Sequence, residues 1–593
     1  MNAIPEWDTS SLYEGFSDRR YQKDQKSLAK ISTKVLGLLK AFPSKKTPQR
    51  ETLAQILPLL DRADALAEQL GSYAYLMSSV NTRDEEAQKQ LVLNDELLLP
   101  LHDAAVQFRS VWAASGLSTK GFLKRYPELE PFRLSLDESR FLASKQLSPG
   151  EENLAADLAR SGADAWTRLH AAVSSTLTAV WDPKKNDTKT VTELRQLAYS
   201  PQRKIRQKAF ELEKSAWKSV ETVLAASLNG VKGHAVTLER RRGWSDPLDL
   251  SVLQARLSRK GLDSLISVME ESLPLFQRYL KAKARVLKVP RLGFYDLFAP
   301  VGKDDRKFTW SQTRDFLVEK FGGFSPEFAE FASLAFEKNW IHARPLDGKV
   351  GGAYCTSLPL SREPRILCNF DGSFGEVKTL AHELGHGWHF WLLRDQPHVY
   401  HEYPMTLAET ASIFAETVVT EEALEDASPE AALFILEQSL QDSTQVIVDI
   451  LSRFRFEKAV LERRQKNELT APEFCALMVE AQKATYGDAL DPDQLHPWMW
   501  AVKGHYYSAG LAFYNYPYAF GQLFALALYG VSRQSGPEFV KVYKKLLGQT
   551  GIRTANDLAQ SAGFDLESQD FWRQGLSVIE GQVADFERRA HGR

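Results

Sequence analysis

The amino-acid sequence predicts a mainly α protein with one small β element. Three observations predict it. Apolar residues recur at helical spacing through most of the first 240 residues. A stretch from about 286 to 375 is instead rich in Gly, Pro and aromatic residues (RLGFYDLFAPVG, GKVGGAYCTSLPL, PRILCNF). From about 375 to 590 the helical period returns.

The elements follow in order. Leu28, Ile31, Val35, Leu38 and Phe42 lie on one helical stripe, which Pro43 and Pro48 end. Residues 51–80 and 86–115 show the same period, and Pro127 and Pro131 mark a turn region. Residues 148–178 read as one more amphipathic helix. The polar cluster WDPKKNDTKT at 181–190 suits a hairpin or loop, and 201–240 is helical again. Gly352 to Leu358 and Arg365 to Phe370 are candidate short strands. There is no short-period repeat and no low-complexity tract.

With 44% hydrophobic and 25% charged residues among 593, the chain can bury a large core. Its 74 basic and 76 acidic residues give a net charge of −2, so nothing electrostatic calls for nucleic acid or a membrane as partner. The longest apolar run, near Leu523 to Tyr529, is too short to span a bilayer. Cys355, Cys368 and Cys475 are an odd, sparse set that fits a reducing compartment and makes no disulfide framework. The N-terminal stretch lacks a basic region followed by an apolar one, so cytoplasm is the expected location.

The chemistry concentrates in KTLAHELGHGWHFWLL, residues 378–393. His382 and His386 are four apart, which on a helix puts both imidazoles on one face, one turn apart. Two such nitrogens can reach one zinc ion, and Glu383 can serve the water on it as proton acceptor. Apolar Leu380, Ala381, Leu384 and Trp388 flank these polar groups and argue against an exposed helix. A third ligand is needed. His389 is close to the same face, but three ligands from one straight helical stretch strain tetrahedral geometry. Glu409 in TLAETASIFAET, 23 residues beyond His386, is the better choice. Pro404 precedes it, so 405–423 reads as a second helix returning antiparallel, with Glu409 and Glu416 on one face. Glu416 is then either a partner that orients a ligand histidine or a solvated carboxylate.

HELGHGWH followed by YPMTLAETASIFAE resembles the oligoendopeptidase F and thimet oligopeptidase family of zinc peptidases. The opening WDTSSLYEGF, the stretch GGAYCTSLPLSREPRILCNFDGSFGEVKTLAHELGHGWH and the late FYNYPYAFGQLFALALYG are similar to the oligoendopeptidase F branch. The resemblance implies a large two-lobed helical metallopeptidase with a deep central cleft. It implies an N-terminal helical region at 1–195 and a catalytic region at 196–593. It also implies one zinc ion per chain, with Glu409 as third ligand.

Residues 505–521 read HYYSAGLAFYNYPYAFG, an unusual density of tyrosine near one histidine. Phenol and imidazole donors can stabilise the oxyanion formed when a peptide bond is attacked. By resemblance that work falls to His505 with Tyr514 and Tyr516, Tyr507 and Tyr518 being held in reserve. Gly351, Gly352, Ala353 and Tyr354 precede the metal helix. A glycine pair allows close backbone approach, and an extended peptide could pair with such an edge. In the family, Gly-rich segments here line the substrate groove; an ordinary loop is the other reading. The expected activity is endopeptidase cleavage of short unstructured peptides by promoted water, with no nucleic-acid or membrane partner. A helical HExxH carboxypeptidase and a non-catalytic zinc-containing peptide-binding protein are the alternatives.

Overall fold

The structure is a computed structural model that describes residues 4–42, 49–425 and 427–591. It is 72% helical, with two small sheets among the described residues, as the apolar period predicts. The chain condenses into two compact units, each built from three stretches. The first holds residues 1–144, 305–425 and 528–564, and the second holds 145–304, 426–527 and 565–593. The sequence-read division at 195/196 falls inside the second unit, as an organisation along the chain rather than in space.

In the first unit the helices Arg19–Lys40, Gln49–Val80 and Glu85–Ala114 pack on one another. Asp18 and Asp84 cap two of them by accepting backbone N–H bonds, which satisfies donors left free by the helical ladder. The predicted stripe is buried at Leu28, Val35 and Phe42 and half-buried at Ile31 and Leu38. Pro43 and Pro48 lie outside the described residues. Tyr13, Tyr21 and Tyr73 meet edge to face within this core, with Tyr13 5.2 Å from Tyr21 and 4.9 Å from Tyr73 between ring centres.

The β element of this unit is a three-stranded sheet in which Glu363–Leu367 is central. Ile341–His342 runs parallel to it and Tyr354–Leu358 antiparallel. Tyr354–Leu358 is therefore an edge strand. It is braced against the helix Gln49–Val80 by Ser79 Oγ to Tyr354 Oη at 2.5 Å and Ser72 Oγ to Thr356 Oγ1 at 2.9 Å. Both strands pack against the helix Phe374–Leu393, which carries the HExxH segment.

In the second unit the hairpin is present as Thr178–Asp182 paired antiparallel with Asp187–Thr190. The 39-residue helix Arg203–Arg241 runs through this unit and packs on the hairpin and on neighbouring helices. Its Lys232 is 2.6 Å from Glu457, both almost fully buried, a pairing that offsets the cost of removing each charge from water. The single helix expected over 148–178 is two, Pro149–Ser161 and Ala163–Thr176, broken at Gly162. A Cβ at Gly162 would lie 2.9 Å from the Leu158 carbonyl oxygen. Among the described residues no helix is long and apolar enough to cross a membrane.

Candidate metal centre and active site

The helix Phe374–Leu393 starts at Ser373, whose hydroxyl accepts from the Glu376 N–H. It is buried on nearly every side, including Leu380, Ala381, Leu384 and Trp388. The apolar flanks read from sequence thus mark a core helix, and its polar residues must find partners there. The glycine within the motif has a packing reason. A Cβ on Gly385 would lie 2.5 Å from the Ala411 carbonyl oxygen and 2.6 Å from Ser412 Cα. Only glycine lets the second helix come this close.

That second element departs from the expectation. Residues Met405–Ala408 form one helical turn, Thr410–Glu425 form a helix, and Glu409 sits at the break between them. Ser412 Oγ donates to Glu409 Oε2 at 2.9 Å, with the Glu409 carbonyl oxygen 3.1 Å away. This holds the carboxylate turned toward the motif helix. Glu409 Oε2 lies 3.3 Å from His382 Nε2 and 3.5 Å from His386 Nε2. One donor atom from each of His382, His386 and Glu409 falls within 4.8 Å of the others. The two imidazoles stand edge to face at 4.9 Å.

Glu416 also reaches this group. Its Oε2 is 3.1 Å from His382 Nδ1 and its Oε1 is 2.7 Å from Lys378 Nζ. It is therefore not a free surface carboxylate. Occupation of Nδ1 leaves Nε2 as the ring nitrogen facing Glu409 and His386.

The electrostatics describe a place for one positive charge. Burial alone would lower His382, but hydrogen bonds to Glu409 and Glu416 outweigh it and push it up to about 10. His386 goes down, to about 4, by burial and by the charge on His382. Burial would raise Glu409, yet the two histidines bring it to about 2. Burial would likewise raise Glu416, yet Lys378 and His382 bring it to about 2. Two carboxylates thus favour a single cation between them.

Glu383 is 6% exposed. Burial raises its carboxyl to about 7, against lowering by His382 and by an N–H bond from Cys355. Cys355 is on the edge strand, so the strand fixes the carboxylate through a backbone donor. Gly351 and Gly352 lie just before that strand, exposed, with Gly352 at φ 79°, a conformation that glycine alone adopts readily. The Val350 and Gly352 carbonyls accept from Asn369 Nδ2 at 3.0 Å each, which pins the loop ahead of Ala353 and Tyr354.

His389 points elsewhere. Its Nε2 is 2.9 Å from Thr550 Oγ1, and its ring stacks on Tyr403 at 4.4 Å.

The late residues belong to the second unit. There His505 lies 5.8 Å from the Tyr514 ring, and Tyr514 Oη is 2.8 Å from Tyr518 Oη. Burial, then Arg453 and Lys503, bring His505 down to about 3, which keeps it a neutral imidazole. Tyr516 is apart from this cluster: it is buried and its hydroxyl donates to the Ser251 carbonyl at 3.0 Å. Tyr507 is buried and stacks on His170 at 3.7 Å.

Sequence reasoning missed Lys378, Ser412 and the Cys355 N–H. Lys378 and Ser412 carry a spacing signal, four residues before His382 and three after Glu409. The backbone donor carries none.

The sequence model of a family described as Peptidase family M3 matches residues 196–578, and one described as Oligopeptidase F matches 118–178. Oligopeptidase PepF of Bacillus subtilis is 23% identical over 595 residues, spanning 98% of this chain and 87% of that protein. A chromosomal oligoendopeptidase F of Lactococcus lactis subsp. cremoris is 26% identical over 396 residues, covering 66% of this chain and 65% of that protein. The crystal structure of oligoendopeptidase-F from Enterococcus faecium superposes with a TM-score of 0.70 at 19% identity, over 97% of this chain and 98% of that one, a likeness of fold.

Proposed function

The chain belongs to peptidase family M3, and on that premise we propose that it is a zinc-dependent endopeptidase cutting internal bonds of short oligopeptides. One observation carries the reading: donor atoms of His382, His386 and Glu409 meet within 4.8 Å, and Glu383 shares their helix. Two imidazoles and a carboxylate are the donor set of catalytic zinc sites that keep one position open, and their shared preference for a cation fits the ion. His382 Nε2, His386 Nε2 and Glu409 would hold it. Bound there, zinc supplies Lewis acidity and makes water acidic enough to lose a proton near neutral pH.

Glu383 takes that proton as the water attacks the scissile carbonyl, then passes it to the leaving amine. Its burial and the Cys355 N–H support this role by fixing the carboxylate in a poorly solvated position. Glu416 orients His382. His505 with Tyr514 or Tyr516 would donate to the developing oxyanion. A neutral imidazole beside a tyrosine favours Tyr514, because the Tyr516 hydroxyl is committed to a backbone carbonyl. Gly351, Gly352, Ala353 and Tyr354 would bind the substrate backbone. No covalent intermediate with the protein is required. The substrates are short unstructured peptides, and the working compartment is the cytoplasm.

The test is cleavage mapping by mass spectrometry on peptides blocked at both ends, with and without chelator. Internal cuts that stop on chelation support the proposal. Cuts only on peptides with a free C-terminus would make the protein a carboxypeptidase. No cut on any peptide by the zinc-loaded protein would leave it a binding protein.

A further inference from the structure

A cavity lies wholly within the second unit, and none of its lining residues is given a catalytic, metal-binding or substrate-binding role above. We infer that this cavity is a binding site for a small carboxylate carrying a planar apolar body. Its volume is about 630 Å³, within the range of small-molecule sites. It is framed by the helix Val191–Gln196, the long helix Arg203–Arg241 and the segment from His496 to Lys503.

The apolar part is aromatic. Tyr199 and Phe298 face each other at 5.0 Å, and Tyr199 is 57% exposed. Phe210, Phe294 and Trp217 are buried behind them. Flat walls of this kind hold a ring by offset or edge contacts.

The polar part is short of one negative charge. Glu213 is already used: it lies 2.9 Å from Arg195, 3.2 Å from Trp217 Nε1 and 3.5 Å from His496. Arg206 is taken by Asp296 at 2.8 Å. The Lys503 side-chain amine makes no hydrogen bond or ion pair with any described residue. The charges that act on it most strongly are Arg453, Asp449, Arg195 and Glu213, and Asp449 is itself paired with Arg453. Among these groups three cations stand with two carboxylates. Burial, then Arg453, bring the Lys503 amine down to about 7, as expected of an ammonium lacking its own partner. His496 lines the same space with its side chain 1% exposed; its Nε2 faces Glu213 at 3.5 Å, while its Nδ1 is without a hydrogen bond among the described residues. A buried ring nitrogen left without a partner is costly, and a ligand oxygen would satisfy it. A carboxylate between Lys503 and His496 answers both needs, with its apolar body against the rings.

Two sources offer this chemistry, a free aromatic acid and the C-terminal residue of a short peptide. The test is calorimetric titration of the full chain after chelation, so that no carboxylate is read at a metal. The probes are 3-phenylpropionate and its amide, then alanyl-phenylalanine and its amide. The expected result is one site per chain, with an acid bound at least about tenfold more tightly than its amide. Lys503→Met should abolish that preference and Lys503→Arg restore it, while Tyr199→Ala at the mouth weakens acid and amide alike. A preference confined to phenylpropionate assigns the free acid; one shared by the dipeptide assigns the peptide C-terminus. Equal affinity of acid and amide, a preference that survives Lys503→Met in folded protein, or no binding at all overturns the inference. None of these outcomes depends on peptidase activity.

Discussion

Glu416 spends its two oxygens on different partners, one on His382 and one on Lys378. That division fixes the hydrogen of His382 on Nδ1 and frees Nε2 for a metal. Glu416→Ala should therefore weaken zinc binding or kcat/KM by about 10–100-fold, as loss of such orienting partners does. Competition against a chromophoric chelator reads the affinity. Unchanged affinity and unchanged kcat/KM would remove Glu416 from the site. The HExxH residues were legible in the sequence because their relation closes within one helical turn. Glu409 was legible from residue type and a plausible returning helix. Lys378 obeys the same spacing but is no ligand, so a search for ligands passes over it. The Cys355 donor was not legible, because a backbone N–H leaves no mark in a sequence.

At the scale of elements the site depends on how closely two helices approach. Gly385 admits the backbone at Ala411 and Ser412, and the second helix carries both Glu409 and Glu416 nearby. Gly385→Ala must push the helices apart. It should destabilise the fold by about 1–3 kcal/mol, a usual cost of overpacking, and lower zinc affinity with it. Urea unfolding and the chelator competition measure the two effects, and a variant unchanged in both would contradict this packing argument. Helical periods foretold most of these elements but not their interruptions. Gly162 breaks a run that stays amphipathic on either side, and periodicity alone reads through it. The break at Glu409 has no Gly or Pro at it; Ser412 bonding back to Glu409 stabilises a turn that only the folded chain reveals.

For the whole molecule, each unit gathers three distant stretches of chain, and local periodicity holds no record of that gathering. What the sequence does carry at long range is charge that must be paired once buried. Burial alone would raise Glu213, but Arg195 and His496 outweigh it and bring it to about 2, below the value of about 4.3 for a free glutamate. A folded value below the unfolded one adds stability at pH above about 4 and loses it as pH falls toward 2. The contribution is on the order of 3 kcal/mol at neutral pH. Glu213→Gln should accordingly be much less stable than the parent near pH 7, with the gap closing below about pH 4 in denaturant titrations. A gap independent of pH would contradict the pairing. The claim that joins residue, element and fold is that His382, His386 and Glu409 hold zinc while Glu383 moves the proton. Its most direct test is the Glu383→Gln variant, assayed together for zinc content and for cleavage of an end-blocked peptide. One zinc per chain and a loss of kcat by at least about 10²–10⁴ are expected. Cleavage at the parental rate would contradict the claim.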